Sequence, residues 1–94
     1  MKLFDYQNYY FIGIGGIGVS AIARMLKEKG KNVSGSDSGK SQITEDLERI
    51  GIEVNIGQRA ENIKEDTEVV IYTIAIPENN PELLEARNSS IICK

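Results

Sequence analysis

Three features of the sequence predict an α/β domain, a parallel sheet of about five strands with helices on both faces. Strand and helix signals alternate along the whole chain. The apolar run Tyr9-Tyr10-Phe11-Ile12 leads into Gly13-Ile14-Gly15-Gly16-Ile17-Gly18, and a helical pattern follows at once. A second run, Val69-Val70-Ile71-Tyr72, has no polar face, as in a strand covered on both sides. With 94 residues the chain makes one domain, near the low end of sizes that bury an adequate core.

Tyr9 to Ile14 reads as the first strand, apolar on both faces and so central in the sheet. Ile17 to Lys29 reads as a helix. Its inward stripe is Ala21, Ile22, Met25 and Leu26, with Arg24, Lys27, Glu28 and Lys29 mostly off it. Gly30 suits the position just past the helix end. Asn32 to Ser36 is a short second strand. Ser38-Gly39-Lys40-Ser41 is a loop, with Ser41 placed to cap a helix over Gln42 to Ile50 that Gly51 stops.

Ile52 to Ile56 alternates apolar and polar, the pattern of an edge strand with one wet face. Ala60 to Lys64 fits one helical turn. Glu68 to Ala75 holds the fully buried strand. Asn80-Pro81-Glu82 starts a helix that runs to about Arg87: a capping Asn, Pro at the first helical position, then an acid in the first turn. Ser90 to Cys93 is a last short strand. The order β-α-β-α-β-(α)-β-α-β describes a Rossmann-like, three-layer domain without repeats or linkers.

Glycines at the first, third and sixth positions between a strand and a helix build a phosphate-binding turn. Gly13 allows the tight turn, Gly15 lets phosphates approach bare backbone, and Gly18 lets the helix lie close to the sheet. The N–H groups of the turn and the positive end of the helix dipole then face the anion. Such a motif also occurs by chance in glycine-rich loops; the legible strand before it and helix after it give it weight here. The chain is expected to bind a nucleotide.

Two further segments flank the expected crevice. Asp37 follows the second strand, 19 residues beyond Gly18. An acid there holds the ribose hydroxyls of NAD in dinucleotide enzymes, which supports an oxidoreductase or NAD-regulated domain; equally, Asp37 is placed to cap the loop Ser36-Asp37-Ser38-Gly39. Thr73 to Asn80 lies at the carboxyl end of a central strand, where open parallel sheets bind ligands. Its run Thr73-Ile74-Ala75-Ile76-Pro77 offers backbone groups and one hydroxyl to a base or sugar, or is simply a connection. Tyr6, Tyr9 and Tyr10 read as core and rim packing rather than base stacking.

Composition excludes several classes. The 11 basic residues are scattered among 14 acidic ones, net charge −3, so no basic stripe exists for nucleic acid. There is no His, and the lone Cys93 closes an apolar run. A His-based triad, a His-containing zinc site and an intramolecular disulfide are therefore ruled out, and Cys93 reads as a buried bystander. No metal site and no catalytic residue is identified. No stretch approaches the roughly 20 apolar residues of a membrane span, and the N-terminus lacks a signal peptide's apolar core, so a cytoplasmic location is expected.

The run Tyr10-Phe11-Ile12-Gly13-Ile14-Gly15-Gly16-Ile17-Gly18-Val19-Ser20-Ala21-Ile22-Ala23 closely resembles the amino-terminal motif of the Mur ligases, and among them the branch that adds L-alanine. Three later blocks agree in order and spacing. Val33-Ser34-Gly35-Ser36-Asp37 is similar to the family's second-strand Gly-Ser-Asp. Gly57-Gln58-Arg59-Ala60-Glu61-Asn62 resembles its Gly-His-x-x-Glu-Asn, and Thr73 through Glu82 its Ser-Ser-Ala-Ile followed by Asp-Asn-Pro-Glu. Gln58 stands where many members have His, and Ile74 replaces the second Ser. A related branch, which recycles a muramyl tripeptide, usually carries Cys and Thr where this chain has Ile14 and Gly16.

The resemblance implies a function. These ligases activate the lactyl carboxylate of UDP-N-acetylmuramate with ATP and join it to the amine of L-alanine, in cell-wall synthesis. A first domain holds UDP, a central domain carries the P-loop for ATP and Mg²⁺, and a last domain helps bind the amino acid. This chain has no GxxxxGK[ST]. It is therefore expected to be that first domain alone, to use no cofactor itself, and to bind rather than catalyse, its partners being UDP-N-acetylmuramate and the remaining domains. Carried onto this sequence, the resemblance places Gly13, Gly15, Gly16, Ile17 and Gly18 around the diphosphate, with a hydroxyl from Ser20 or a bond of that hydroxyl within its own turn. Ser36 and Asp37 lie beside the uridine, and Thr73, Ala75 and Ile76 across from them.

Overall fold

The computed structural model describes residues 5–89 and 91–93. Five strands form one parallel sheet in the order β3-β2-β1-β4-β5. They are β1 (Asn8–Ile12), β2 (Asn32–Asp37), β3 (Glu53–Ile56), β4 (Val69–Ile71) and β5 (Ile92–Cys93). The helices are α1 (Ile17–Glu28), α2 (Gln42–Arg49) and α3 (Pro81–Asn88), and Ala60–Asn62 forms a 3₁₀ turn. The α/β architecture expected from the sequence is the one observed; Ser90 lies outside the described residues.

β1 is the middle strand, and its side chains divide between two cores as period-2 alternation requires. Tyr9 and Phe11 enter a core with Val19, Ala23 and Leu26 of α1 and Leu47 of α2. Tyr10 and Ile12 enter the other with Val70, and Leu83 and Ala86 of α3. The helices therefore cover both faces.

Several elements differ in detail. β1 ends at Ile12 because Gly13 adopts φ 78°, a left-handed turn that Gly reaches without steric cost. β4 stops at Ile71, whose partner Phe11 is the last β1 residue to pair with it before β1 turns away. The inward face of α1 is Val19, Ser20, Ala23 and Leu26, whereas Ala21 is exposed and Met25 keeps about a third of its surface exposed (37%). The apolar stripe expected over Ala21 and Met25 is thus rotated toward Val19 and Ala23. A Cβ on Gly18 would meet nothing within 4 Å, so that glycine does not serve close packing against the sheet. Gly35 does: its Cβ would come 2.5 Å from the Phe11 carbonyl oxygen. On β3, Ile56 is outward at 42% exposure instead of completing an inward alternation.

The helix boundaries follow the expected chemistry. Ser41 and Thr44 form a reciprocal capping box at α2, and Gly51 (φ 93°) ends that helix with its N–H on the Glu48 carbonyl. Asn80 Oδ1 accepts from the N–H groups of Glu82 and Leu83, with Pro81 at the first helical position. Gly30 (φ 83°) follows α1. Tyr9 and Tyr10 are buried as packing residues, and burial pushes the half-buried Cys93 thiol above its ordinary pKa.

Candidate functional site

The strand order reverses direction between β1 and β4, because β2 and β3 lie on one side of β1 and β4 and β5 on the other. In open parallel sheets this switch point opens a crevice at the carboxyl ends of the strands. The turn after β1 and the turn after β4 border it. They touch: a Cβ on Gly13 would lie 3.3 Å from Ile76 Cδ1.

The glycine turn is bonded from within. The N–H groups of Gly13 and Ile14 both donate to the Ser36 carbonyl, at 2.9 and 2.8 Å. Gly15 N–H donates to Asp37 Oδ2 at 2.8 Å, and Gly16 N–H to the Gly13 carbonyl at 3.1 Å. The first α-helical bond runs from Ser20 N–H to the Gly16 carbonyl. The amides of Ile17, Gly18 and Val19 precede it and have no intrahelical acceptor. Unlike α2 and α3, α1 has no side-chain cap and no acid in its first turn. The positive end of α1 therefore opens at the crevice through Ile17 to Val19. Of the amides expected to cradle a ligand over Gly15 to Gly18, those of Gly15 and Gly16 are already engaged within the protein.

The remaining expected residues sort by burial. Ile17 is 84% exposed at the rim. The Ser20 hydroxyl donates to the Ile17 carbonyl within its own turn. Ser36 has no accessible surface, and its hydroxyl donates to Glu82. Both seryl side chains thus hold the crevice walls from behind. Asp37 is half-buried, its second oxygen accepting from Ser38 N–H, so the loop-capping alternative for this acid is realised. Thr73, Ala75 and Ile76 form a compact turn in which Ile76 N–H donates to the Thr73 carbonyl and Ala75 N–H to the Thr73 hydroxyl. Ile74 at its tip is fully exposed.

Three residues outside the expected ligand-binding set shape this edge. Glu82, read only as a first-turn acid, is fully buried and accepts from Tyr10, Ser36, Asn62 and the Arg59 amide. Burial, with the Glu82 charge adding to it, pushes the Tyr10 hydroxyl well above the ordinary tyrosine range. Arg87 braces the turn after β4 from both ends, bonding the Tyr72 hydroxyl and the Glu78 carboxylate. Gln58 accepts from the Asn80 side chain at 2.7 Å, tying the loop after β3 to the start of α3. Among the described residues no group of three or more His, Cys, Asp or Glu could hold a metal ion.

Comparison with known proteins agrees with this architecture. Residues 8–94 match the model of the Mur ligase family, catalytic domain. The UDP-N-acetylmuramate–L-alanine ligase of Campylobacter jejuni is 52% identical over 87 residues, covering 93% of this chain and 20% of that protein. The ligase of the same name from Clostridium tetani is 48% identical over 92 residues, 94% of this chain and 20% of its own length. The crystal structure of the UDP-N-acetylmuramate–alanine ligase of Thermotoga maritima superposes with a TM-score of 0.89 at 34% identity, over 94% of this chain and 20% of that one. A UDP-N-acetylmuramate:L-alanyl-γ-D-glutamyl-meso-diaminopimelate ligase from Neisseria meningitides gives 0.84 at 26% identity, over 94% and 28%. The chain spans about a fifth of the length of the curated relatives it matches. With its motif blocks, sheet order and nearly full-length family match in agreement, the chain belongs to the Mur ligase family.

Proposed function

We propose that this domain holds the UDP part of UDP-N-acetylmuramate within a longer, cytoplasmic, ATP-dependent ligase that adds L-alanine during peptidoglycan synthesis. The observation that carries the reading is the uncapped start of α1 at the β1/β4 switch point, in a chain about half identical to ligases named for that substrate. In this reading Ile17 and Gly18 present amides to the diphosphate, on a turn shaped by Gly13, Gly15 and Gly16. Asp37 flanks the ligand on the β2 side, with Thr73, Ala75 and Ile76 on the β4 side. Ser20 and Ser36 support these walls. The NAD alternative rests on Asp37, and both oxygens of that carboxylate already accept backbone N–H groups, which weighs against it.

MgATP does not fit the glycine turn. Val19 and Ser20 follow it where a P-loop has Lys and Ser or Thr, and Arg24 is the first basic residue after the turn. Nucleotide triphosphate and metal are assigned to other parts of the longer protein. The test is a parallel titration with UDP-N-acetylmuramate, UDP and NAD, read from the amide signals of Gly15 to Ser20. UDP compounds should move Ile17 and Gly18 most. Tight NAD binding without UDP binding would overturn the proposal.

A further inference from the structure

Glu82 has no accessible surface, and four donors from three segments converge on its carboxylate. Oε2 accepts from the Tyr10 hydroxyl of β1 at 2.9 Å, the Asn62 side-chain amide at 2.7 Å and the Arg59 backbone N–H at 3.2 Å. Oε1 accepts from the Ser36 hydroxyl of β2 at 2.5 Å. Glu82 makes no salt bridge among the described residues. Its compensation is the set of donors and its place in the first turn of α3, at the positive end of that helix. Burying a carboxylate is costly even when it is well bonded, and an apolar residue of similar size would fill the same space at less cost. The arrangement therefore calls for a gain in position.

That gain is legible in what the donors hold. Ser36 anchors the glycine turn, because its carbonyl takes the N–H groups of both Gly13 and Ile14. The next residue, Asp37, fixes Gly15 through its side chain and Gly57 through its carbonyl, which accepts at 2.8 Å. Asn62 closes the loop after β3, donating to the Gly57 carbonyl at 3.0 Å as well as to Glu82. The ends of β1, β2 and β3 thus hang on one carboxylate.

We propose that Glu82 is a positioning residue for the crevice. Through Ser36 it sets the glycine turn, and through Asn62 and Arg59 it sets the loop after β3, so the amides at the start of α1 present one fixed face to a diphosphate. The nature of that ligand rests on the UDP reading; the positioning does not.

Three variants of the 94-residue chain separate the links. Ser36→Ala cuts only the tie to the glycine turn. Glu82→Gln keeps the shape: its amide can donate to a rotated Ser36 hydroxyl while its oxygen retains the Oε2 donors. Glu82→Ala removes every tie. Leu26→Ala, beneath α1 on the other face of the sheet, serves as a stability control. Ser36→Ala should shift the Gly13, Ile14 and Gly15 amide signals and weaken UDP binding about tenfold, leaving Gly57 to Asn62 in place. Glu82→Ala should shift both sets, and Glu82→Gln should restore most of the binding.

If Glu82→Ala does not fold, Ser36→Ala and Glu82→Gln carry the test. Unchanged Gly13 to Gly15 signals in Ser36→Ala would overturn the proposal, as would an equal loss of affinity in the folded Leu26→Ala control. Absence of UDP binding in the unmodified chain would sink the ligand reading alone, since the ligand-free amide shifts still report on positioning.

Discussion

The Asp37 carboxylate accepts the Gly15 amide at 2.8 Å, and that same carboxylate fills the space a Gly15 side chain would need. The glycine at the third position of the motif therefore makes room for an acid of the protein itself. Asp37 stands at the end of β2, so the contact also locks the first two strand ends together at the crevice.

Gly15→Ala follows directly. Its Cβ would lie 2.6 Å from Asp37 Oδ2 and 3.1 Å from Thr44 Cγ2, so the acid must move. The expected cost is about 1–3 kcal/mol, the usual range for overpacking. Combining it with Asp37→Ala should cost less than the sum of the two single changes, because the clash and the hydrogen bond share one partner. Urea unfolding of the four proteins measures the cycle; strict additivity would show that the two residues do not constrain each other.

Gly18 and Gly35 should behave in opposite ways. A Cβ on Gly18 meets nothing, and Gly18 lies in the first turn of α1, so Gly18→Ala should leave stability unchanged or raise it by up to about 1 kcal/mol. It should nevertheless weaken UDP binding if a diphosphate lies against that turn. Gly35→Ala would push a Cβ to 2.5 Å from the Phe11 carbonyl oxygen and 2.8 Å from Ile14 Cδ1. Loss of about 3 kcal/mol or more is expected, lowering Tm by roughly 10 °C or more in a domain of this size. Thermal melts together with UDP titrations decide both; a Gly18→Ala protein with lowered Tm and intact binding would contradict the assignment.

The fold was legible because its signals are local. Alternating apolar runs, a capping Ser41, an Asn80-Pro81 helix start and helix-ending glycines act within a few residues, and each appears where it was expected. The site was legible only in outline. A glycine turn after a central strand locates the crevice, but which amide faces a ligand depends on whether Asp37 reaches across 22 residues to Gly15. Glu82 escaped for the same reason. Its local context is that of a solvent-facing first-turn acid, and its burial comes from Tyr10, Ser36 and Asn62, which only the folded chain brings together. The glycine at the sixth position misled because the motif reading assigns Gly18 a packing role that this helix, seated on Val19, Ala23 and Leu26, does not require.

The 94-residue chain should show no ligase or ATPase turnover. Transfer of a γ-phosphoryl group needs a cation clamp on the phosphates, and the glycine turn supplies backbone amides without a following Lys. A carboxylate and ATP must also be held in line, which the crevice alone does not do. A coupled assay for ADP release with UDP-N-acetylmuramate, L-alanine, ATP and Mg²⁺ should read background. Turnover that survives repurification and disappears in Gly15→Val would make the domain an enzyme in its own right.

Tyr10 should give the domain a distinct alkaline limit. Burial first, and the Glu82 charge with it, raise the folded-state pKa of Tyr10 above the unfolded value of about 10. Below that pH both states keep the phenolic proton and this group contributes no slope. Above it the unfolded chain releases the proton first, so unfolding is favoured. Stability then falls by up to about 1.4 kcal/mol per pH unit until the folded-state pKa is reached. Tyr10→Phe abolishes that term but leaves Glu82 one donor short, a cost of about 1–3 kcal/mol at every pH. Urea unfolding at pH 8, 9, 10 and 11 should show a stability advantage of the unmodified protein that is constant to about pH 10 and shrinks by roughly 1 kcal/mol at pH 11. An advantage that stays constant across the series would mean that Tyr10 ionises as readily in the folded protein as in the unfolded chain.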